Sequence, residues 1–215
     1  MRTAVIAGGP GIDKDTVNAV VSSCDNVIAA DSGAAVAVSC GIVPQKVTGD
    51  MDSLNADIAD FLRNRGVEFE VYPVEKDMSD SELCLRSVPE DDEIIWVCSM
   101  AGRPDHNLAN LMLAVKLHEE GRSITVTDGI NDFIPLSGPD EIEFSGVLND
   151  DDLVISLIPF TNVTGVTSEG LYYKLDNKDL VPGSTLSISN KLVEGADSFS
   201  VKIKSGNLGV LLVRS

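Results

Sequence analysis

The feature that most restricts the fold is a change of rhythm near residue 130. Up to about Gly129, short apolar runs alternate with segments of helical spacing. Residues 3–7, 26–30, 46–48, 67–72, 93–100 and 123–127 read as strands. Helical segments fall between them, at 34–39, 56–65, 79–87 and 107–120, with a further one after Asp13. This alternation predicts an α/β fold, a mostly parallel sheet with helices on both faces. From about Ile130 helical spacing disappears. Short apolar runs at 141–144, 153–159, 172–175, 185–189, 199–203 and 210–213 are divided by Gly, Pro, Asn and Asp turns. That pattern predicts an all-β sandwich or small barrel. The expected organisation is therefore an α/β domain over 1–129 and a C-terminal all-β sandwich domain over 130–215.

In open parallel sheets, ligands gather beyond the carboxyl ends of the strands. Thr48-Gly49-Asp50-Met51-Asp52-Ser53 lies at such an end. Asp50 and Asp52 are two residues apart, so both project from the strand tip on one side. Gly49 lets a ligand approach the backbone. Two hard carboxylates suit Mg²⁺, which usually takes one or two of them together with substrate phosphates. The same residues also make an ordinary acidic turn in which Ser53 caps the next helix. A second acidic knot, Lys76-Asp77-Met78-Ser79-Asp80, follows another strand, and Asp31 ends a third. Gly8-Gly9 and Arg103-Pro104-Asp105-His106 lie at further strand ends. Their convergence on one edge is more informative than any one of them. Neither GxGxxG nor GxxxxGK[ST] is present.

Charge narrows the partners. The 215 residues carry 34 acidic and 16 basic side chains, a net charge of −18. A surface this negative disfavours nucleic acid and anionic membranes. It leaves nucleotide binding open where a cation offsets the phosphates. Cys24, Cys40, Cys84 and Cys98 are far apart and suggest neither a zinc site nor a disulfide framework, with Cys40 and Cys98 in apolar company. The first apolar run is broken at Gly8-Gly9-Pro10, too early for a signal peptide, and no run approaches membrane-spanning length. A reduced, cytoplasmic protein is expected.

The ordered set Asp31-Ser32-Gly33-Ala34, Gly49-Asp50-Met51-Asp52-Ser53, Lys76-Asp77-Met78-Ser79-Asp80 and Gly102-Arg103-Pro104-Asp105-His106 resembles the thiamine pyrophosphokinase family. The resemblance continues through Val166-Thr167-Ser168-Glu169-Gly170-Leu171 and Ile188-Ser189-Asn190. It implies a catalytic α/β domain that binds ATP and Mg²⁺, a β-sandwich that binds thiamine, and a homodimer with active sites between subunits. The implied reaction converts thiamine to thiamine diphosphate and releases AMP. The sequence departs from the family's pattern at Ser32 and Ala35, where glycine and asparagine are usual, and at Tyr173, where the family has a tryptophan.

In that reaction the alcohol attacks the β-phosphorus, and the enzyme positions the partners and stabilises charge. The resemblance assigns Asp50, Asp52 and Asp77 to the metal, directly or through water, with Asp80 as a further catalytic carboxylate. Asp31 would hold the cluster or its waters. Arg103 would fork a phosphate, with Lys76, Asp105 and His106 beside the nucleotide. Surface and helix-capping roles for Asp77, Asp80, Arg103, Asp105 and His106 are the alternative. Tyr173 would stack on the cationic thiamine, with Ser187, Ser189 and Asn190 bonding its pyrimidine, against sandwich packing and a turn. Two other functions fit parts of the pattern: a pyrophosphokinase for another heterocyclic alcohol such as a hydroxymethylpterin, and a non-catalytic nucleotide- or thiamine-sensing module.

Overall fold

The computed structural model describes residues 1–146 and 153–214. Contacts divide the chain into two units, Met1–Ala109 with Arg122–Gly129, and Asn110–Gly121 with Ile130–Ser215. Up to Gly129 strands and helices alternate: β1 (Arg2–Ile6), α1 (Lys14–Ser22), β2 (Asn26–Ala30), α2 (Gly33–Ser39), β3 (Lys46–Gly49), α3 (Ala56–Arg63), β4 (Glu68–Val71), α4 (Asp80–Arg86), β5 (Glu93–Val97), α5 (Pro104–Glu119), of which the part from Asn110 on belongs to the second unit, and β6 (Ile124–Thr127). The strands run parallel in the order β4-β3-β2-β1-β5-β6.

The sheet is apolar on both faces because helices cover both. Val47 of β3 packs with Ala59 and Leu62 of α3, while α4 packs against β3 and β2 and buries Cys84 and Leu85 completely. Trp96 in β5 is also fully buried. Each such large side chain contributes on the order of 2 kcal/mol by leaving water. Burial pushes the Cys84 thiol up to about 12, so it behaves as a small apolar residue. Cys98 is buried too, Cys40 is half-buried, and all four cysteines are free thiols.

Local chemistry fixes the helix ends, with three corrections to the sequence reading. Ser79 caps α4 as expected, its Oγ accepting the Glu82 N–H at 3.1 Å. The cap of α3 is Asn55, not Ser53: Asn55 Oδ1 accepts the Asp57 N–H at 2.8 Å, whereas Ser53 donates to Asp52 Oδ1. α5 starts at Pro104, three residues before the expected start at Asn107, because proline suits the first helical position. Asp105 thus lies in the first turn and is not a cap. The stripe read from Leu108, Leu111, Met112 and Val115 is also displaced. Leu108 and Met112 are 59% and 56% exposed, and Ala114, Val115 and Leu117 carry the burial.

The second unit holds β7 (Asp132–Ser137), β8 (Asp140–Ser145), β9 (Val154–Pro159), β10 (Val163–Glu169), β11 (Lys178–Leu180), β12 (Ser198–Ile203) and β13 (Asn207–Val213). β7-β13-β9 and β11-β10-β12-β8 form two antiparallel arrays. One core joins them, with Leu136, Ile155, Leu157, Val210 and Leu212 from the first and Val163, Val166, Phe199, Val201 and Ile203 from the second. That is a β-sandwich. Segments 172–175 and 185–189, expected as strands, are not; the first is a bend and irregular chain, and the second contains a turn at 186–187. β7, β10 and β11 were hidden by Pro135, by Gly165 at φ 66° where the β10 register shifts, and by a length of three residues. Among the described residues no helix is long and apolar enough to cross a membrane.

Candidate active site

β2 and β3 are neighbours in the sheet, so the residues that follow them meet. Asp31 leaves β2 with φ 44°, a left-handed backbone uncommon outside glycine that aspartate tolerates better than most residues. Its N–H donates to the Thr48 carbonyl at 2.9 Å, which extends the strand pairing and aims the residue at the end of β3. There Gly49 takes φ 152°, and a Cβ on it would lie 3.0 Å from both Asp31 Cβ and Asp80 Oδ1. Only glycine fits so close an approach. Met51 is left-handed as well, with φ 64°, and the Asp52 N–H donates to Asp50 Oδ1 at 3.2 Å. This tight turn sets Asp50 and Asp52 beside Asp31.

One carboxylate oxygen from each of Asp31, Asp50 and Asp52 lies within 4.8 Å of the others. Opposite ligands of an ion held at about 2.1 Å stand roughly 4.2 Å apart, so small side-chain rotations would close this set on a small divalent cation. The donors are hard oxygens, and the buried Asp31 Oδ1 has no hydrogen-bond partner among the described residues. The residues fit such an ion. Burial holds the Asp31 carboxyl above its ordinary range, and the charges of Asp80 and Asp50 push the same way.

Lys76 neutralises part of this cluster. Its Nζ is 2.7 Å from Asp50 Oδ2 and 3.2 Å from Asp80 Oδ1. The ammonium holds the Asp50 carboxyl below the usual carboxylate range, and Asp50 in turn raises Lys76. Lys76 therefore pairs with Asp50 and Asp80, whereas Asp77 is exposed and stands outside the trio. Arg103 grips Asp105 through Nε at 3.1 Å and Nη2 at 2.5 Å. This fork holds Asp105 down to about 2. Both are exposed, as is His106. At the first strand end Gly8 packs tightly on Ser32: a Cβ there would lie 2.1 Å from Ser32 Oγ and 3.0 Å from Ser32 Cβ, so the serine side chain would have to move. Ser99 Oγ donates to the Pro10 carbonyl and ties the two loops.

The second unit carries the remaining expected residues. Tyr173 is 61% exposed, its ring edge-on to Tyr172 at 5.0 Å. Ser187 is buried and donates its hydroxyl to the Leu157 carbonyl at 2.7 Å. Ser189 is exposed at φ 56°, with its N–H on Ser156 Oγ. Asn190 is buried, and backbone groups occupy its carboxamide.

Residues 17–126 match the family model described as thiamin pyrophosphokinase, catalytic domain. Residues 148–208 match thiamin pyrophosphokinase, vitamin B1 binding domain. The chain belongs to the thiamine pyrophosphokinase family. A thiamine pyrophosphokinase of Bacillus subtilis is 30% identical over 202 residues, 91% of this chain and 92% of that one. A thiamine pyrophosphokinase of Arabidopsis thaliana is 24% identical over 193 residues, 82% of this chain and 72% of that one. The solved B. subtilis thiamine pyrophosphokinase superposes with a TM-score of 0.83 at 26% identity, covering 100% of both chains. The Candida albicans thiamin pyrophosphokinase superposes at 0.82 with 16% identity, covering 100% of this chain and 90% of that one, a likeness of fold.

The catalytic-domain match contains Asp31, Asp50, Asp52, Lys76, Asp77, Asp80 and Arg103–His106, and the vitamin B1 match contains Tyr173 and Ser187–Asn190. Sequence reading missed one group that flanks this family's acidic turn here. Glu70 Oε2 accepts from Lys46 at 3.0 Å, and Glu70 Oε1 accepts the Tyr72 hydroxyl at 2.7 Å. The parallel register pairs Lys46 with Glu68 and Thr48 with Glu70. Once β3 and β4 are paired, the Lys/Thr and Glu/Glu alternation on one face is the signal for it.

Proposed function

We propose that this chain is a thiamine diphosphokinase, moving the pyrophosphoryl group of ATP to the hydroxyl of thiamine and releasing AMP. The observation that carries the reading is the convergence of Asp31, Asp50 and Asp52 on one point at the ends of β2 and β3. Asp31, Asp50 and Asp52 would hold Mg²⁺, with Asp77 and Asp80 on the adjoining loop and helix start able to bond its waters. When bound, the cation offsets charge on phosphate oxygens.

The chain's own residues do the rest. Lys76 limits repulsion between Asp50 and Asp80 and carries an ammonium to the phosphate side of the cluster. Arg103 carries a planar fork, held by Asp105 in the free protein, that would match a phosphate on turning from it; His106 adds a ring beside it. Tyr173 offers an exposed aromatic face to cationic thiamine, with Ser187 and Ser189 on the neighbouring segment. Thiamine is favoured over a pterin alcohol by the vitamin B1 domain match. The presence of Asp50, Asp52, Asp77 and Asp80 together favours catalysis over sensing.

The deciding experiment measures AMP release from ATP and Mg²⁺ with and without thiamine. Thiamine-dependent AMP is expected. Release only with a hydroxymethylpterin would move the substrate, and nucleotide binding without AMP would make the chain a sensor. Homodimer assembly belongs to the same proposal, with sedimentation equilibrium as its check.

A further inference from the structure

The carboxamide of Asn190 is engaged on three sides. Asn190 is 3% exposed. Its Oδ1 accepts the Tyr173 N–H at 3.0 Å and the Lys191 N–H at 2.9 Å, and its Nδ2 donates to the Tyr173 carbonyl at 2.9 Å. The two bonds to Tyr173 imitate one rung of a β-ladder, with a side chain in place of a backbone. The rung continues a real pairing. Val193 N–H donates to the Gly170 carbonyl, Tyr172 N–H donates to the Lys191 carbonyl, and Leu171 bridges Leu192. That backbone pairing ends at Tyr172, and Asn190 carries it one residue further.

Asn190 is itself fixed. Its backbone exchanges bonds with Ile155 at 2.8 and 2.9 Å, on the edge of β9, and the preceding Ser189 N–H is held by Ser156 Oγ. Tyr173 is thus tied through one side chain to the sandwich, while its own ring remains exposed. Tyr172 is a poorer platform for a cation, because the Lys191 ammonium already stands 5.0 Å from its ring centroid.

We propose that Asn190 is a positioning residue for the alcohol substrate: it locks the backbone of Tyr173 and so aims the aromatic face, and it does not bond the substrate itself. This rests on the thiamine reading above. It replaces the expectation that Asn190 bonds the pyrimidine, because three of its four bonding positions are taken and the residue is buried.

The test is a double-substitution cycle read by calorimetric binding to the full chain. Asn190→Ala is expected to raise the thiamine dissociation constant about tenfold and leave ATP affinity unchanged. In a Tyr173→Ala background the same substitution should add less than about twofold, since it acts through the lost ring. Additive losses would mean that Asn190 contacts the ligand and would overturn the proposal. Hydrogen exchange supplies the second readout. The Tyr173 amide should lose protection in Asn190→Ala while the Val201 and Leu212 amides keep theirs; an unchanged Tyr173 amide also overturns it. Should that variant fail to fold, the wild-type protein suffices: through-hydrogen-bond coupling from Asn190 Nδ2 to the Tyr173 carbonyl should persist at saturating thiamine. Its loss on binding would show the carboxamide turning to the ligand. If the wild type binds no thiamine, the functional reading fails, while the exchange result still decides whether Asn190 holds Tyr173.

Discussion

The Lys76 ammonium sits 2.7 Å from Asp50 Oδ2, a short ion pair inside the acidic cluster. A cation bound by Asp50 must share that carboxylate with Lys76. Lys76→Met is therefore expected to tighten Mn²⁺ binding in the absence of nucleotide roughly tenfold. Turnover should fall roughly 10- to 100-fold, because an ammonium near the phosphates is lost. Metal titration followed by paramagnetic resonance, alongside an AMP assay, checks both. Weaker Mn²⁺ binding in the variant would mean that Lys76 orients Asp50 and does not compete for it.

Asp52 is exposed, so its removal tests function with little structural cost. Asp52→Asn should lower turnover by about two orders of magnitude or more while the melting temperature stays nearly constant. Near-normal AMP release would take Asp52 out of the metal set and leave Asp31 and Asp50 to be paired with another ligand.

Much of this arrangement was legible in the sequence because it depends on local order. β2 and β3 were read with their ends in the right places, so Asp31, Asp50 and Asp52 were assigned to strand ends. Their mutual approach was not legible, because it depends on which strands are neighbours and on left-handed turns at Asp31 and Met51. Lys76 illustrates the same limit: its partners Asp50 and Asp80 are 26 and 4 residues away, and the sequence placed it beside the nucleotide without naming either. In the sandwich, Tyr172-Tyr173 has strand composition, yet the backbone pairing stops at Tyr172 and the Asn190 side chain, not a second strand, bonds the Tyr173 backbone. The exposed Leu108 and Met112 on α5 departed from periodicity, which records apolar character and not what covers it.

Gly49→Ala tests the close approach at the end of β3. The φ of 152° disfavours a side chain, and the new methyl would press on Asp31 Cβ and Asp80 Oδ1, each 3.0 Å away. A loss of roughly 1–3 kcal/mol in unfolding free energy is expected by urea denaturation. Displacing Asp31 should also weaken Mn²⁺ binding. A fully stable variant with intact metal affinity would mean that the turn at Gly49 adapts without disturbing Asp31.

The Arg103–Asp105 fork gives a pH signature. Asp105 is depressed from an ordinary value of 3.8 to about 2 by Arg103. A carboxyl lowered in the folded state contributes stability in full above its unfolded value, near 3.8, and loses it as pH falls through about 2. The pair is exposed, so the contribution is small and screened by salt. The titration itself is the sharper observable. Carbon-detected NMR should find Asp105 titrating near 2 in the free protein, and Arg103→Ala should return it toward 3.8. If Arg103 turns to a phosphate in the complex, saturation with ATP and Mg²⁺ should raise the Asp105 midpoint in the wild type in the same direction. An Asp105 midpoint that ignores the nucleotide would leave the fork as a helix-start ion pair and remove Arg103 from the phosphate site.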